Sequence, residues 1–129
     1  MMAVTSMNHF TILTDDVDGT IRFYDELLGL RPGPRPKLNF PGAWLYSGDA
    51  AILHVVGGRP KAELRAGVID HMAFTGRDLP AVLQALGKRG IEHTCRRQVT
   101  SGTWQVFFHD PNGAKVEIDF DAGESAPGR

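Results

Sequence analysis

Three histidines and one glutamate carry the chemistry that this 129-residue chain can offer. His9 and His54 lie 45 positions apart and His71 and Glu117 lie 46 apart, each pair opening and closing one half of the chain. Taken alone, a histidine among aliphatics, as His54 is in AAILHVVGG (residues 50–58), ordinarily hydrogen-bonds at a core or a rim. Repetition changes that reading. Imidazole nitrogens and a carboxylate oxygen are donors for one divalent ion (Fe, Zn, Ni, Co or Mn). Two histidines and a carboxylate with open positions are the arrangement of non-haem iron enzymes. If equivalent positions of two paired modules converge on one concave surface, His9, His54, His71 and Glu117 are the metal ligands. The same four residues also fit a polar cleft in which histidine and glutamate hydrogen-bond to one another.

The elements that must position these residues appear twice. MNHFTILTDD alternates as a half-buried strand, with Phe10 and Ile12 on one face and His9, Thr11 and Leu13 on the other. Capping aspartates then open a helix with Val17, Ile21, Tyr24 and Leu28 at helical spacing, stopped at Gly29. Residues 31–58 read as one poorly defined strand and two clearer ones, turned at Ser47, Gly48 and Asp49. The second half repeats the plan. VIDHMAFTG is a strand, Asp78 and Pro80 open a helix carrying Leu79, Val82, Leu83 and Leu86, and Gly90 stops it. HTCRRQVT, TWQVFFHD and AKVEIDF are three strands, the last two joined by a tight turn at Asp110, Pro111, Asn112 and Gly113. From His9 to Gly29 is 20 positions and from His71 to Gly90 is 19, so the registers agree within one residue. The expected class is α+β, with two βαβββ modules in tandem (about 7–58 and 67–121) forming a curved mixed sheet with a metal-binding concave cleft. Residues 1–121 form one domain in this reading. In the last strand Glu117 shares a face with Lys115 and Asp119, while Val116, Ile118 and Phe120 take the other.

Composition bounds the partners. With 42% hydrophobic and 22% charged residues and a formal charge of −1, the chain is ordinary globular protein with no electrostatic case for nucleic acid or an anionic membrane surface. A small-molecule substrate is the expected partner. No stretch approaches the ~18 apolar residues that span a bilayer, and MMAVTSMNHF lacks the pattern of a signal peptide. A cytoplasmic location is expected. The single cysteine, Cys95, cannot form an internal disulfide and reads as a partly buried free thiol. Residues 122–129 are small and polar and read as a flexible tail. Phe40, Trp44 and Trp104 supply aromatic walls for substrate, and Tyr46 a hydroxyl for catalysis. His93 and His109 fall outside the repeated positions, and Arg96 and Arg97 read as solvated strand charges.

NHFTILTDDVDGTIRFYDELLGL, IDHMAF and FFHDPNGAKVEIDF resemble the vicinal oxygen chelate superfamily of glyoxalase I, bleomycin-resistance proteins, fosfomycin-modifying enzymes, methylmalonyl-CoA epimerase and extradiol dioxygenases. The resemblance spans roughly residues 7–121. It implies a divalent metal held by His9, His54, His71 and Glu117, with His54 where glyoxalase I carries glutamate and the epimerase glutamine. It further implies a glyoxalase-like lyase or isomerase in which Glu117 shuttles a proton between adjacent carbons of an oxygen-chelating substrate. Leu13 and Gly58 stand where bacterial glyoxalase I-like sequences place arginine and asparagine to anchor glutathione, which argues for a different substrate. Two further readings follow from the same resemblance: an extradiol-type dioxygenase acting on a catechol, and a non-catalytic ligand- or drug-binding resistance protein. Single-chain members commonly share each cleft between two subunits, so a homodimer is expected.

Overall fold

A computed structural model describes residues 3, 6–60, 63, 67 and 69–125. The chain divides into two compact units, Met1–Ala62 and Glu63–Arg129, each holding one βαβββ module. The expected α+β tandem is what the chain forms. No helix among the described residues is long and apolar enough to cross a membrane.

In the first unit, β1 (Phe10–Leu13) buries Ile12 and exposes Thr11 and Leu13, as its alternation requires. Helix α1 (Val17–Leu28) starts where the Asp16 carboxylate accepts from Gly19 N at 3.0 Å, and ends on Gly29 in the left-handed conformation (φ 73°). Its buried face is Thr20, Tyr24 and Leu27, whereas Ile21 and Leu28 of the expected stripe are only half-buried. The rotation has a polar cause. Thr20 is buried because its hydroxyl donates to Asp16 O at 2.8 Å and sits 3.1 Å from the Thr14 hydroxyl, so burial leaves no orphan group. Strands β2 (Arg31–Gly33), β3 (Gly42–Ser47) and β4 (Ala50–Val56) complete a sheet ordered β1-β4-β3-β2, in which only β1 and β4 are parallel. Ala43, Leu45, Leu53 and Val55 are its buried row, so Trp44 and His54 belong to the other face.

The second unit has the same plan. Strands β5 (Met72–Thr75), β6 (His93–Arg97), β7 (Trp104–His109) and β8 (Lys115–Phe120) are ordered β5-β8-β7-β6, with β5 and β8 the parallel pair. Val106, Phe108, Val116, Ile118 and Phe120 form the buried core with Leu79 and Leu86 of α2 (Leu79–Lys88). The expected turn is held by Asp110, whose Oδ1 accepts from Asn112 N and Ala114 N, both at 2.8 Å. Val68, the first residue of the strand expected around His71, lies outside the described residues, as do 126–129 of the expected tail.

Helix α2 is capped from an unexpected direction. Asp78 adopts a left-handed φ of 67°, and the Glu124 carboxylate, 46 residues on, accepts from Asp78 N at 2.8 Å and Leu79 N at 3.1 Å. Two amides at the positive end of the helix thus meet one anion. The segment expected to fray therefore begins with an ordered contact. Glu124→Ala is expected to lower stability by about 0.5–2 kcal/mol in urea denaturation, the usual range for losing an N-terminal cap; an unchanged midpoint would show that water replaces the carboxylate at no cost.

Candidate functional site

The second unit builds a charged half-site around Glu117. Parallel pairing sets Glu117 beside Ala73, two residues past His71, and antiparallel pairing sets it beside Phe107. Its side chain is 8% exposed, and both oxygens are engaged. Oε1 lies 2.9 Å from His71 Nε2, and Oε2 accepts from Gln105 Nε2 at 3.2 Å. Gln105 in turn accepts from Arg96 Nε at 3.2 Å, so a chain of contacts runs from guanidinium to carboxylate. On the far side of the imidazole, Asp70 Oδ2 lies 2.8 Å from His71 Nδ1 and accepts from Lys115 Nζ at 3.3 Å. The hydrogen bond with His71, and then Lys115, hold the Asp70 carboxyl below its ordinary range. The Phe107 ring is the floor: His71 meets it edge-on at 5.7 Å, and Arg96 and Lys115 lie over it at 5.1 and 5.3 Å. These residues line a cavity of about 900 Å³.

His71 is thus set between two carboxylates. With one ring proton it can donate to only one of them. A proton kept on Nδ1 for Asp70 leaves the Nε2 lone pair facing Glu117, where a divalent cation suits the donor pair in place of a proton. Beside Glu117 on the same face, burial first, and then the hydrogen bond and charge of Glu117, push Asp119 up to about 6.

The first unit builds its half-site from rings. His54 pairs with Thr11 of β1, two residues past His9, and with Trp44 of β3. The His54 ring stacks on His9 (centroids 3.8 Å apart, planes 15° apart) and on Trp44 (4.1 Å, 7°). Burial, and then the neighbouring His9, lower the His54 pKa, and a hydrogen bond with the Ala51 backbone partly opposes them. His9 Nδ1 lies 2.7 Å from Asn8 Oδ1, so here too the preceding residue holds Nδ1 and leaves Nε2 free to donate its lone pair. The expected ligands are brought together as two pairs, one in each unit. Among the described residues no three His, Cys, Asp or Glu side chains form a metal-sized cluster.

A profile of the Glyoxalase/Bleomycin resistance protein/Dioxygenase superfamily matches residues 6–118. The chain belongs to that superfamily. It is 35% identical over 123 residues to Glyoxylase I 4 of Arabidopsis thaliana, covering 89% of this chain and 70% of that one. It is 31% identical over 116 residues to glutathione transferase FosA of Serratia marcescens, covering 88% and 79%. Solved structures share the fold: a glyoxalase family protein from Bacillus anthracis (TM-score 0.74, 21% identity, covering 94% and 98%) and a mutant of FosX from Listeria monocytogenes complexed with Mn(II) and 1S,2S-dihydroxypropylphosphonic acid (TM-score 0.71, 16% identity, covering 94% of each chain).

Not every side chain expected at the site of this superfamily member faces it. Trp104 pairs with Phe120 and Arg97 and shares the row of Val106 and Phe108, opposite Gln105, Phe107 and Glu117. Arg97 lies over its ring at 4.9 Å, so Trp104 is a wall of the wrong face for Glu117. The Tyr46 hydroxyl donates to Pro34 O and its ring covers Gly33, which ties β2 to β3 instead of offering a free hydroxyl. Phe40 is 39% exposed, with the Arg35 guanidinium over it at 5.1 Å. Arg96 and Arg97 are separated by strand parity: Arg96 lines the cavity and Arg97 reaches Gly102 O and Ala122 O. Asn8, Asp70 and Gln105 join the site unannounced, whereas Asp119 was expected on the face of Glu117. The repeated dipeptides Asn8-His9 and Asp70-His71 were the available signal for two of them.

The Asp119 shift has a direct consequence for stability. Its folded value of about 6 lies above its ordinary 3.8, so the folded chain holds a proton that the unfolded chain releases. Stability tied to that proton is complete below the ordinary value and lost as pH rises through about 6. In protein stripped of divalent metal, urea denaturation between about pH 4 and pH 7 is expected to show this loss. Asp119→Asn should flatten it; identical pH slopes for the two proteins would refute the assignment.

Proposed function

We propose that this chain is a metal-dependent, glyoxalase-like lyase or isomerase that moves a proton between adjacent carbons of a small oxygen-chelating substrate. The observation that carries the reading is Glu117: a buried carboxylate with one oxygen on His71 Nε2 and the other on Gln105, at the wall of a cavity of about 900 Å³. His9 in the first unit and His71 and Glu117 in the second are the proposed metal donors. Each histidine has its Nδ1 held by the preceding side chain and its Nε2 left for a cation, the outer-partner arrangement that metal-binding histidines use. When bound, the ion would polarise neighbouring substrate oxygens and offset the negative charge that develops as a proton leaves carbon.

The chain's own residues divide the remaining work. Glu117 takes the proton at Oε2 and returns it to the adjacent carbon, a transfer that suits a carboxylate held away from water. Gln105 fixes the side chain from the other side, and its link to Arg96 ties that orientation to the cavity wall. Arg96 and Lys115 over Phe107 give the cavity a cationic edge suited to an oxygen-rich, anionic substrate. The FosX relative holds Mn(II) with a vicinal diol, two neighbouring oxygens of the kind proposed here. The two modules act as one functional domain, residues 1–121, in a cytoplasmic homodimer.

Protein loaded separately with Fe(II), Ni(II), Zn(II) and Mn(II) and offered thiohemiacetals and catechols, with oxygen uptake followed, tests the reaction. Isomerisation without oxygen uptake is expected, lost in Glu117→Gln. Iron-specific oxygen consumption with catechols would replace this reading by ring cleavage, and tight binding without turnover under every metal would replace it by ligand sequestration. Elemental analysis is expected to find one metal per functional site, abolished by His71→Ala. Sedimentation is expected to show dimers; a metal-loaded monomer at micromolar concentration would overturn the homodimer.

A further inference from the structure

The geometry points to His54 as a positioning residue, the middle ring of a Trp44–His54–His9 stack that orients the His9 imidazole without itself binding the cation; this inference rests on the metal-dependent reading above. An imidazole donates its lone pair in its own plane, to a cation about 2.1 Å from the nitrogen. The His9 and His54 planes are only 15° apart with centroids separated by 3.8 Å, so they converge far beyond bonding distance. As placed, one cation cannot lie in both planes.

Which ring donates is decided by what else each ring touches. His54 is covered on both faces, by His9 at 3.8 Å and by Trp44 at 4.1 Å. Trp44 is its direct cross-strand partner on β3, so turning His54 out of the stack would forfeit a contact that the sheet register imposes. His9 is instead held at Nδ1 by Asn8, as His71 is held by Asp70, and its Nε2 is free to donate.

Comparison of the two modules supports the same division. Equivalent registers carry His54 beside Thr11 and Glu117 beside Ala73, each two residues past its module's leading histidine. In the second module the two groups meet in the ring plane, Nε2 to Oε1 at 2.9 Å, as two donors to one cation can; in the first they meet face to face. A ring in place of a carboxylate has turned the contact from donor pair to support.

Pulsed EPR of the wild-type protein loaded with Mn(II) tests this directly by counting coordinated histidine nitrogens. The count is expected to fall by one in His9→Ala and to stay unchanged in His54→Phe; a fall in His54→Phe would overturn the inference. Calorimetric titration with Mn(II) supplies the second measurement. His54→Phe keeps a stackable ring and is expected to retain stoichiometry and near wild-type affinity. His54→Ala and Trp44→Ala should weaken binding by about 10–100-fold, the range for losing an outer partner of a metal ligand. Loss of Mn(II) in His54→Phe as complete as in His71→Ala would overturn the inference alone, as would wild-type affinity in His54→Ala. A wild-type protein that takes up no divalent metal would overturn the metal reading and this inference with it.

Discussion

The candidate site depends on one constraint in each module: the first strand and the last strand pair in parallel. A parallel pair cannot be closed by a hairpin, so the chain leaves the sheet through a helix, and here it lays down two more strands before returning to the first. That path brings residues more than forty positions apart to adjacent strands, with Thr11 beside His54 and Ala73 beside Glu117. Because both registers are the same, the leading histidine stands two residues from the partner of the trailing His54 or Glu117 in each case. Residues two apart on a strand share a face, so both pairs meet on the side away from the buried apolar row.

From that common frame the modules diverge through one substitution of chemistry. A glutamate at the trailing position needs polar partners when buried: Gln105 donates to one oxygen and His71 Nε2 lies 2.9 Å from the other, within a network reaching Asp70, Lys115 and Arg96. Burial there is tolerated because both carboxylate oxygens have polar partners. A histidine at the trailing position needs no such network. It is held between aromatic faces, and the first module accordingly offers Trp44 instead of a cation. The two half-sites differ in charge, in the geometry of their central contact and in what they can do for a substrate.

The same parity rule sorts the surrounding residues. Along β7, Gln105 and Phe107 face Glu117 while Trp104, Val106 and Phe108 turn to the core side, and along β6 neighbouring arginines point to opposite destinations. An aromatic residue near the site in sequence is therefore no guide to the wall of the cavity. Phe107 is the floor because of its register, and Trp104, three residues away, is excluded by its own.

Much of the fold and the identity of the central residues were legible in the sequence, because they depend on local periodicity and on repetition. Alternation in β1 and β8, the caps at Asp16 and Asp78, the stop at Gly29 and the matched spacings of His9 to His54 and His71 to Glu117 are properties of short segments and of their order. Partners chosen across the sheet were not legible. Thr20 enters the core only because Thr14 and Asp16 satisfy its hydroxyl, Tyr46 spends its hydroxyl on Pro34, and Glu124 closes the start of α2 from the far end of the module. Hydrogen bonding and ring stacking depend on distance and angle between side chains that the chain order does not encode locally. The sequence by itself determined which groups stand at the four repeated positions; only the tertiary structure decided that one pair meets edge to edge through a nitrogen and an oxygen, and the other face to face.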